Sequence, residues 1–333
     1  MQERIKGIII KRLGERSSAG RAVDCGSTGR GFDSRRSPHV IILWMVFEWS
    51  EFIQRVREFF RERGYIEVHT PVLLEFPNID LNVDPIELKV IECGNEKTLW
   101  LQTSPEFPMK KLLSKHKKDI FQIAKVFRNN ECGRLNKIEF TMLEWYKVGA
   151  DYSYLIREIA DLLAFLGISK EYKTTRLEHA FEEYAGVVLS EDEEIFKNNL
   201  LAYGYEFDDK EDWESLFFRI YVDVERNLGI EKPEFITHFP QRLSSYAKVV
   251  DGYAERFELY IKGIEIANGW TEETKPEEIR KRMEDFRRSR NLPLDEELLS
   301  AYKDFPPCAG CSVGLERLFM VYMGLDSLDG IYF

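Results

Sequence analysis

The side chains of this 333-residue chain that could do chemistry are arginines and carboxylates set on short alternating segments. Arg128 ends a strand-like run from Ile120, and a loop through Gly133 leads to a second such run from Glu139 to Tyr146. An arginine on the floor of two antiparallel strands can grip a phosphate by two parallel, charge-assisted hydrogen bonds, because its fork of donors is planar and always charged. The competing reading of any such residue is a surface ion pair. Further on, Arg256 to Gly269 alternates on both sides of Lys262-Gly263. If that dipeptide is a hairpin turn, Tyr260 stands opposite Glu265 and Glu258 lies diagonally on the same face, so two carboxylates converge. Carboxylates beside a phosphate suit octahedral Mg2+; a solvated sheet face is the alternative. The histidines, His39, His69, His116, His179 and His238, show no metal-ligand spacing. Cys308 and Cys311 make a lone CxxC with no second pair, which argues against zinc or redox chemistry there.

Definite elements must hold these residues. Trp49, Phe52, Ile53, Val56, Phe59 and Phe60 follow helical spacing with charged residues between them, and Gly64 ends that helix. Tyr65 to His69 alternates like a strand and stops at Thr70-Pro71. A hairpin is expected over Ile86 to Gln102 with Gly94-Asn95 as its turn, and a short helix from Met109 to His116 precedes the strands around Arg128. Helical periodicity then covers Tyr152 to Gly167, Leu177 to Ala185, Glu191 to Tyr203 and Asp212 to Leu228, so residues 151–230 read as an inserted helical block. Strands return at Phe235 to Phe239 and from Arg256 to Ile266. A charged helix follows from Pro276 to Arg290, and a strand from Gly310 to Leu315 runs into the apolar helix Arg317 to Met323.

Composition sets the outer limits. The chain is 44% apolar and 32% charged, with no run near the roughly 18–20 apolar residues of a membrane span. Its five cysteines are irregularly spaced, which points to a reducing, cytoplasmic setting. Residues 1–44 differ from the rest, being rich in Gly, Ser and Arg and lacking apolar periodicity from Glu15 to Pro38. They hold nine Lys and Arg against four Asp and Glu, net +5, and the remaining residues hold 38 against 54, net −16. This arm is not expected to fold. Its string from Ser17 to Pro38 resembles a translated transfer-RNA gene, so Met45 is the expected start and 1–44 a disordered or spurious extension.

Three segments carry a resemblance to a known family. Val126 to Arg134 (VFRNNECGR) with Glu139 to Tyr146 (EFTMLEWY) resembles motif 2 of class II aminoacyl-tRNA synthetases in its lysyl form. Gly310 to Leu318 (GCSVGLERL) resembles motif 3, and Trp49 to Val72, with GYIEVHTP at Gly64 to Pro71, resembles motif 1. The resemblance implies an α+β catalytic domain over 45–333, an antiparallel sheet flanked by helices with the helical insertion inside it, and a homodimer through motif 1. It makes Arg128 and Arg317 the catalytic arginines. It assigns Arg128, Asn129, Asn130, Glu131, Lys137, Phe140, Glu265, Ile266, Gly314 and Arg317 to ATP, and Glu258 and Glu265 to Mg2+. It assigns Ser104, Pro105, Glu106, Glu144, Tyr146, Asn268, Glu272 and Ser312 to the amino acid. Within that set Glu106 and Glu144 face the amino group near the reacting carboxylate, while Tyr146 and Glu272 take a distal ammonium. Several acids around one small molecule imply a cationic ligand. An aspartyl or asparaginyl pocket would instead supply cations and carry Gln in place of Glu106.

The anticodon-reading β-barrel of bacterial lysyl-tRNA synthetases has no counterpart ahead of the catalytic helix. The sequence therefore resembles the truncated paralogues that ligate lysine or (R)-β-lysine to a lysine of translation elongation factor P. Ser312, where synthetases usually have Gly and this ligase family Ala, is expected to reshape the amino-acid pocket. Two departures fall on the nucleotide side: Glu131 stands one place late after Arg128-Asn129-Asn130, and Asn136-Lys137-Ile138 replaces the usual His-Asn-Pro. With the body at −16, a protein acceptor is expected rather than tRNA, whose phosphates call for clustered Lys and Arg. A stand-alone asparagine-synthetase-like enzyme, a minimal lysyl-tRNA synthetase and a silent regulatory subunit are the other readings. The intact Arg128, Arg317, Glu258 and Glu265 speak against the silent one.

Overall fold

The computed structural model describes residues 38–208, 210–287, 290–328 and 331, with side chains from residue 45 onward. Of the expected extension, residues 1–37 lie outside the described ones. Helix α1 (Pro38–Glu62) starts ahead of Met45. Its Phe52, Val56, Phe59 and Phe60 repeat every three to four residues and are fully buried, which fixes the helix against the sheet. Phe60 stacks on Phe121 with ring centroids 5.1 Å apart and lies 5.1 Å from Trp145. Truncating such a side chain removes about 3–5 kcal/mol.

The strands, in chain order, are β1 (Ile66–Glu67), β2 (Leu73–Leu74), β3 (Ile86–Glu92), β4 (Asn95–Leu101), β5 (Ile120–Phe127), β6 (Glu139–Val148), β7 (Lys173–Arg176), β8 (Glu234–Pro240), β9 (Val249–Val250), β10 (Tyr253–Ile261), β11 (Ile264–Thr271) and β12 (Cys308–Gly314). Nine form the main sheet, in the order β1-β5-β6-β12-β11-β10-β8-β7 with β9 on β10. Its centre is antiparallel, and β1 on β5 and β7 on β8 are parallel. Because side chains alternate along a strand, the sheet has two unlike faces. Phe121, Leu143, Trp145, Cys311, Val313, Phe257 and Leu259 enter one core with α1, α3 (Tyr152–Leu166) and α9 (Leu315–Met323). The opposite face carries one continuous polar row: Gln122 pairs Glu144, Glu144 pairs Ser312, Ser312 pairs Asn268, and Asn268 pairs Glu258.

Sequence and structure differ in a few places. The small sheet β2-β4-β3 turns at Cys93-Gly94, both left-handed at φ 49° and 85°, one residue earlier than expected, because Glu92 pairs Asn95. Residues 151–230 are not wholly helical. Besides α3, α4 (Leu177–Ala185), α5 (Glu193–Ala202) and α6 (Trp213–Glu225) they contribute the edge strand β7. That strand is held where Thr175 donates to buried Glu234 at 2.7 Å and Lys173 pairs with it at 2.9 Å. The insertion shares its core with Ile236, Phe239 and Tyr260 of the sheet, so it packs as part of the same body. A third core lies under α2 (Glu106–His116), α7 (Pro276–Arg287) and the short, unanticipated α8 (Glu296–Ala301).

Candidate active site

A cavity of about 420 Å³ opens over the polar row. Every expected site residue lines it except three. Pro105 contributes backbone only, its carbonyl accepting from Met109 N as α2 begins. Asn129 and Asn130 are exposed, Asn130 with a left-handed φ of 59°, and Asn129 N donates to the Asp84 carbonyl at 2.9 Å.

Strands β6 and β12 and the start of α2 build the acidic end. Tyr146 and Ser104 donate to the two oxygens of Glu144 at 2.7 and 2.8 Å, and Ser104 Oγ in turn accepts from Glu106 N. One helical turn past Glu106, Lys110 is completely buried; its Nζ lies 2.6 Å from Glu106 Oε1 and 2.7 Å from Glu272 Oε2. Glu272 Oε1 has no hydrogen-bond partner, and its Oε2 meets the ammonium as an ion pair outside hydrogen-bonding angles. Burial and then the charge of Glu106 push the Glu144 carboxyl up to about 8, against the pull of its two hydroxyl donors. Burial pushes Glu272 to about 7 even though Lys110 draws it down. Desolvation works to lower the Lys110 ammonium as well, but Glu106 and Glu272 outweigh it and hold that group well above its ordinary value. Gly310 is what lets this end close: a Cβ there would stand 2.5 Å from the Tyr146 ring and 2.8 Å from Glu272 Oε1.

The other end is basic. Arg128 leans on the Phe140 ring at 5.2 Å, with Nε 3.4 Å from the Thr103 carbonyl, which leaves its terminal donors for a ligand. Arg317 is tied down by the Glu265 carbonyl at 2.9 Å, the Leu135 carbonyl at 3.2 Å and Asn136 Oδ1 at 2.6 Å, and Asn136 donates to Glu131 at 2.8 Å. The departure at Asn136 thus supports Arg317. Tyr260 does pair Glu265, and Lys262-Gly263 is the turn. Glu258 takes Arg256 at 2.5 Å, Tyr221 at 3.0 Å and Tyr260 at 2.8 Å. Burial raises its carboxyl, Arg256 opposes that, and the charge of Glu265, which lines the same cavity, raises it further. Among the described residues no group of three or more His, Cys, Asp or Glu gathers as a metal cage.

Sequence reasoning missed four positioning residues. Lys110 stands in Met-Lys-Lys, and only its spacing of four from Glu106 marks it. Arg256 holds both Glu258 and Asn268 Oδ1, the latter at 3.1 Å. Asn136 anchors Arg317. Glu316 accepts Thr141 N with both oxygens at 2.9 and 2.8 Å and so pins the start of β6. The last two depend on contacts across 175 or more residues, which no local pattern announces.

A polar row on an antiparallel sheet, with one arginine from the loop after β5 and one from the helix that follows β12, defines the catalytic domain of a class II aminoacyl-tRNA synthetase. In agreement, the family described as tRNA synthetases class II (D, K and N) matches residues 45–333. Among relatives, the elongation factor P–(R)-β-lysine ligase homolog of Aquifex aeolicus is 55% identical over 285 residues, 86% of this chain and 97% of that one. The elongation factor P–(R)-β-lysine ligases of Avibacterium paragallinarum and Haemophilus influenzae are 40% and 36% identical, each over 85% of this chain and 92% of the relative. The chain belongs to this ligase family within the class II synthetases.

Proposed function

We propose that the cavity activates lysine or (R)-β-lysine with ATP and passes the aminoacyl group to a lysine side chain of translation elongation factor P. The observation that carries this is the pairing of opposites in one cavity: Glu106, Glu144 and Glu272 crowd one end, and Arg128 and Arg317 stand at the other. Glu144 and Glu272, whose carboxyls are pushed up by burial, favour a ligand bringing ammonium groups, and the terminal donors of Arg128 favour phosphate. The relatives, as elongation factor P–(R)-β-lysine ligases, point to the lysine-type substrate and the acceptor.

In the first step a carboxylate oxygen of the amino acid attacks the α-phosphorus and the bond to pyrophosphate breaks. Arg128 stabilises the charge that develops, with Arg317 on the far phosphates and Phe140 and Ile266 beside the adenine. In the second step the acceptor ε-amine attacks the acyl carbon, loses a proton, and AMP leaves. For Mg2+ the donor set fits only in part. Glu258 and Glu265 repel each other, as two ligands of a cation would, yet Glu258 is already bonded by Arg256 and two tyrosines. This suits an ion that arrives on the nucleotide and is finished by phosphate oxygens. Bound there, Mg2+ would neutralise phosphate charge.

A homodimer through α1 and β1 and a cytoplasmic setting belong to the same reading. No described helix is long and apolar enough to cross a membrane. The test is ATP–pyrophosphate exchange with lysine, (R)-β-lysine or aspartate, followed by transfer to elongation factor P and to tRNA. Exchange with a lysine isomer and labelling of the factor are expected. Exchange with aspartate alone overturns the reading, and charging of tRNA without labelling of the factor makes the chain a minimal synthetase.

A further inference from the structure

Behind the acidic wall of the cavity, in contact with Glu106 and Glu272, lies Lys110, a residue to which the functional reading gives no role. Its side chain is fully buried, at 0% exposure, in a helix whose neighbours Phe107, Met109 and Leu113 fill the adjacent core. A buried ammonium is disfavoured against an apolar side chain unless it is well paired, and Met or Leu would pack against Tyr246 and Trp270 equally well. The lysine instead takes one oxygen each of Glu106 and Glu272, 2.6 and 2.7 Å away, with the Tyr246 and Trp270 rings 5.3 and 5.9 Å from its Nζ. The ionisable groups facing it are Glu106 from α2, Glu144 from β6, Glu272 after β11, Cys308 from β12, Tyr246 from the turn before β9 and Tyr302 from the short 3-10 helix after α8. The other oxygen of Glu272 stays without a partner on the cavity wall.

We propose that Lys110 is a specificity-determining positioning residue, a built-in ammonium that clamps Glu106 to Glu272 and leaves the acidic end of the cavity a balance of two negative charges once a ligand has drawn the protons from its three carboxylates. Three carboxylates and one ammonium match the two ammonium groups of a diamino acid whose carboxylate is turned toward ATP. A pocket without the lysine would hold three repelling acids around two cations, and one acid would stay protonated. The clamp also fixes which oxygen of Glu272 is presented to the substrate. This inference rests on the reading of the cavity as a lysine-type amino-acid site.

Exchange kinetics across pH with the full chain test it. For Lys110→Met the KM for the lysine isomer is expected to rise about tenfold or more near pH 7.5, with the KM for ATP within about twofold. The limb in which KM falls with rising pH moves to higher pH, because losing a cation makes the remaining acids harder to ionise. In Lys110→Met/Glu272→Gln the count returns to two charges, and the limb returns toward its wild-type position. A lysine that merely filled space would lower the fraction of active enzyme and move neither the limb nor the amino-acid KM selectively. Unchanged amino-acid KM and pH limb in Lys110→Met overturn the inference while leaving an active wild type and its function standing. A wild type inert with both lysine isomers overturns the functional reading, and this inference with it. If Lys110→Met does not fold, the double variant is read against Glu272→Gln alone: a lower amino-acid KM in the double variant supports the charge match, and an equal or higher one overturns it.

Discussion

Glu144 and Glu272 give this site a pH dependence whose sign follows from their surroundings. Both carboxyls are pushed up, to about 8 and about 7, from an ordinary value of 4.5. Between those limits the folded, empty protein holds more protons than the unfolded chain, so their contribution to stability falls as pH rises from about 4.5 to 8. A ligand carrying ammonium groups reverses this and drives protons off. Affinity for the amino acid is therefore expected to rise from pH 6 to about 8 and then level. Calorimetry at pH 7.5 in two buffers of different ionisation enthalpy should give different apparent heats; identical heats would contradict the assignment. Arg128 permits a second prediction. Arg128→Ala should lower amino-acid-dependent exchange by about 100- to 1,000-fold, as removal of a charge-stabilising donor does. Arg128→Lys should recover little of that, since an ammonium cannot make the forked contact. At this scale the sequence was informative for groups that touch ligands, whose types are dictated by chemistry. It gave no positioning role to Arg256, Asn136 and Glu316, the last two of which act on partners 175 or more residues away.

Among the elements, β12 is the most tightly specified. Its small residues let Tyr146 and Glu272 close over it, so Gly310→Ala must displace one of them. Overpacking of this kind removes about 1–3 kcal/mol, which a melting curve will show. The amino-acid KM should rise about tenfold or more while the ATP KM stays nearly constant, since the nucleotide end lies on other residues. A selective rise in the ATP KM would contradict this geometry. The long helices and central strands were legible because their apolar spacing is long enough to set a period. The two-residue strands β2 and β9 and the edge strand β7 were not: they are too short for a period and exist through partners such as Glu234, far along the chain. The turn at Cys93-Gly94 was misplaced because Cys93 takes a left-handed conformation usually reserved for Gly or Asn, a choice made by strand register.

For the whole molecule, charge and assembly give the remaining expectations. With a net charge of −11, tRNA association should be weak and fade steeply with salt, whereas transfer to elongation factor P should persist at physiological ionic strength. Filter binding against a labelling assay over a salt series separates the two. Light scattering is expected to report twice the 39.2 kDa chain mass, and a monomer active in exchange would remove the dimer from the proposal. The row Gln122, Glu144, Ser312, Asn268, Glu258 has a consequence for folding as well. Five strands drawn from distant parts of the chain must pair in register before the row exists, and a slip of one residue would turn its members into the apolar core. No partly assembled sheet can hold ligand, so amino-acid binding should slow amide hydrogen exchange across β6, β12 and β11 by one common factor, while frayed outer strands exchange as before.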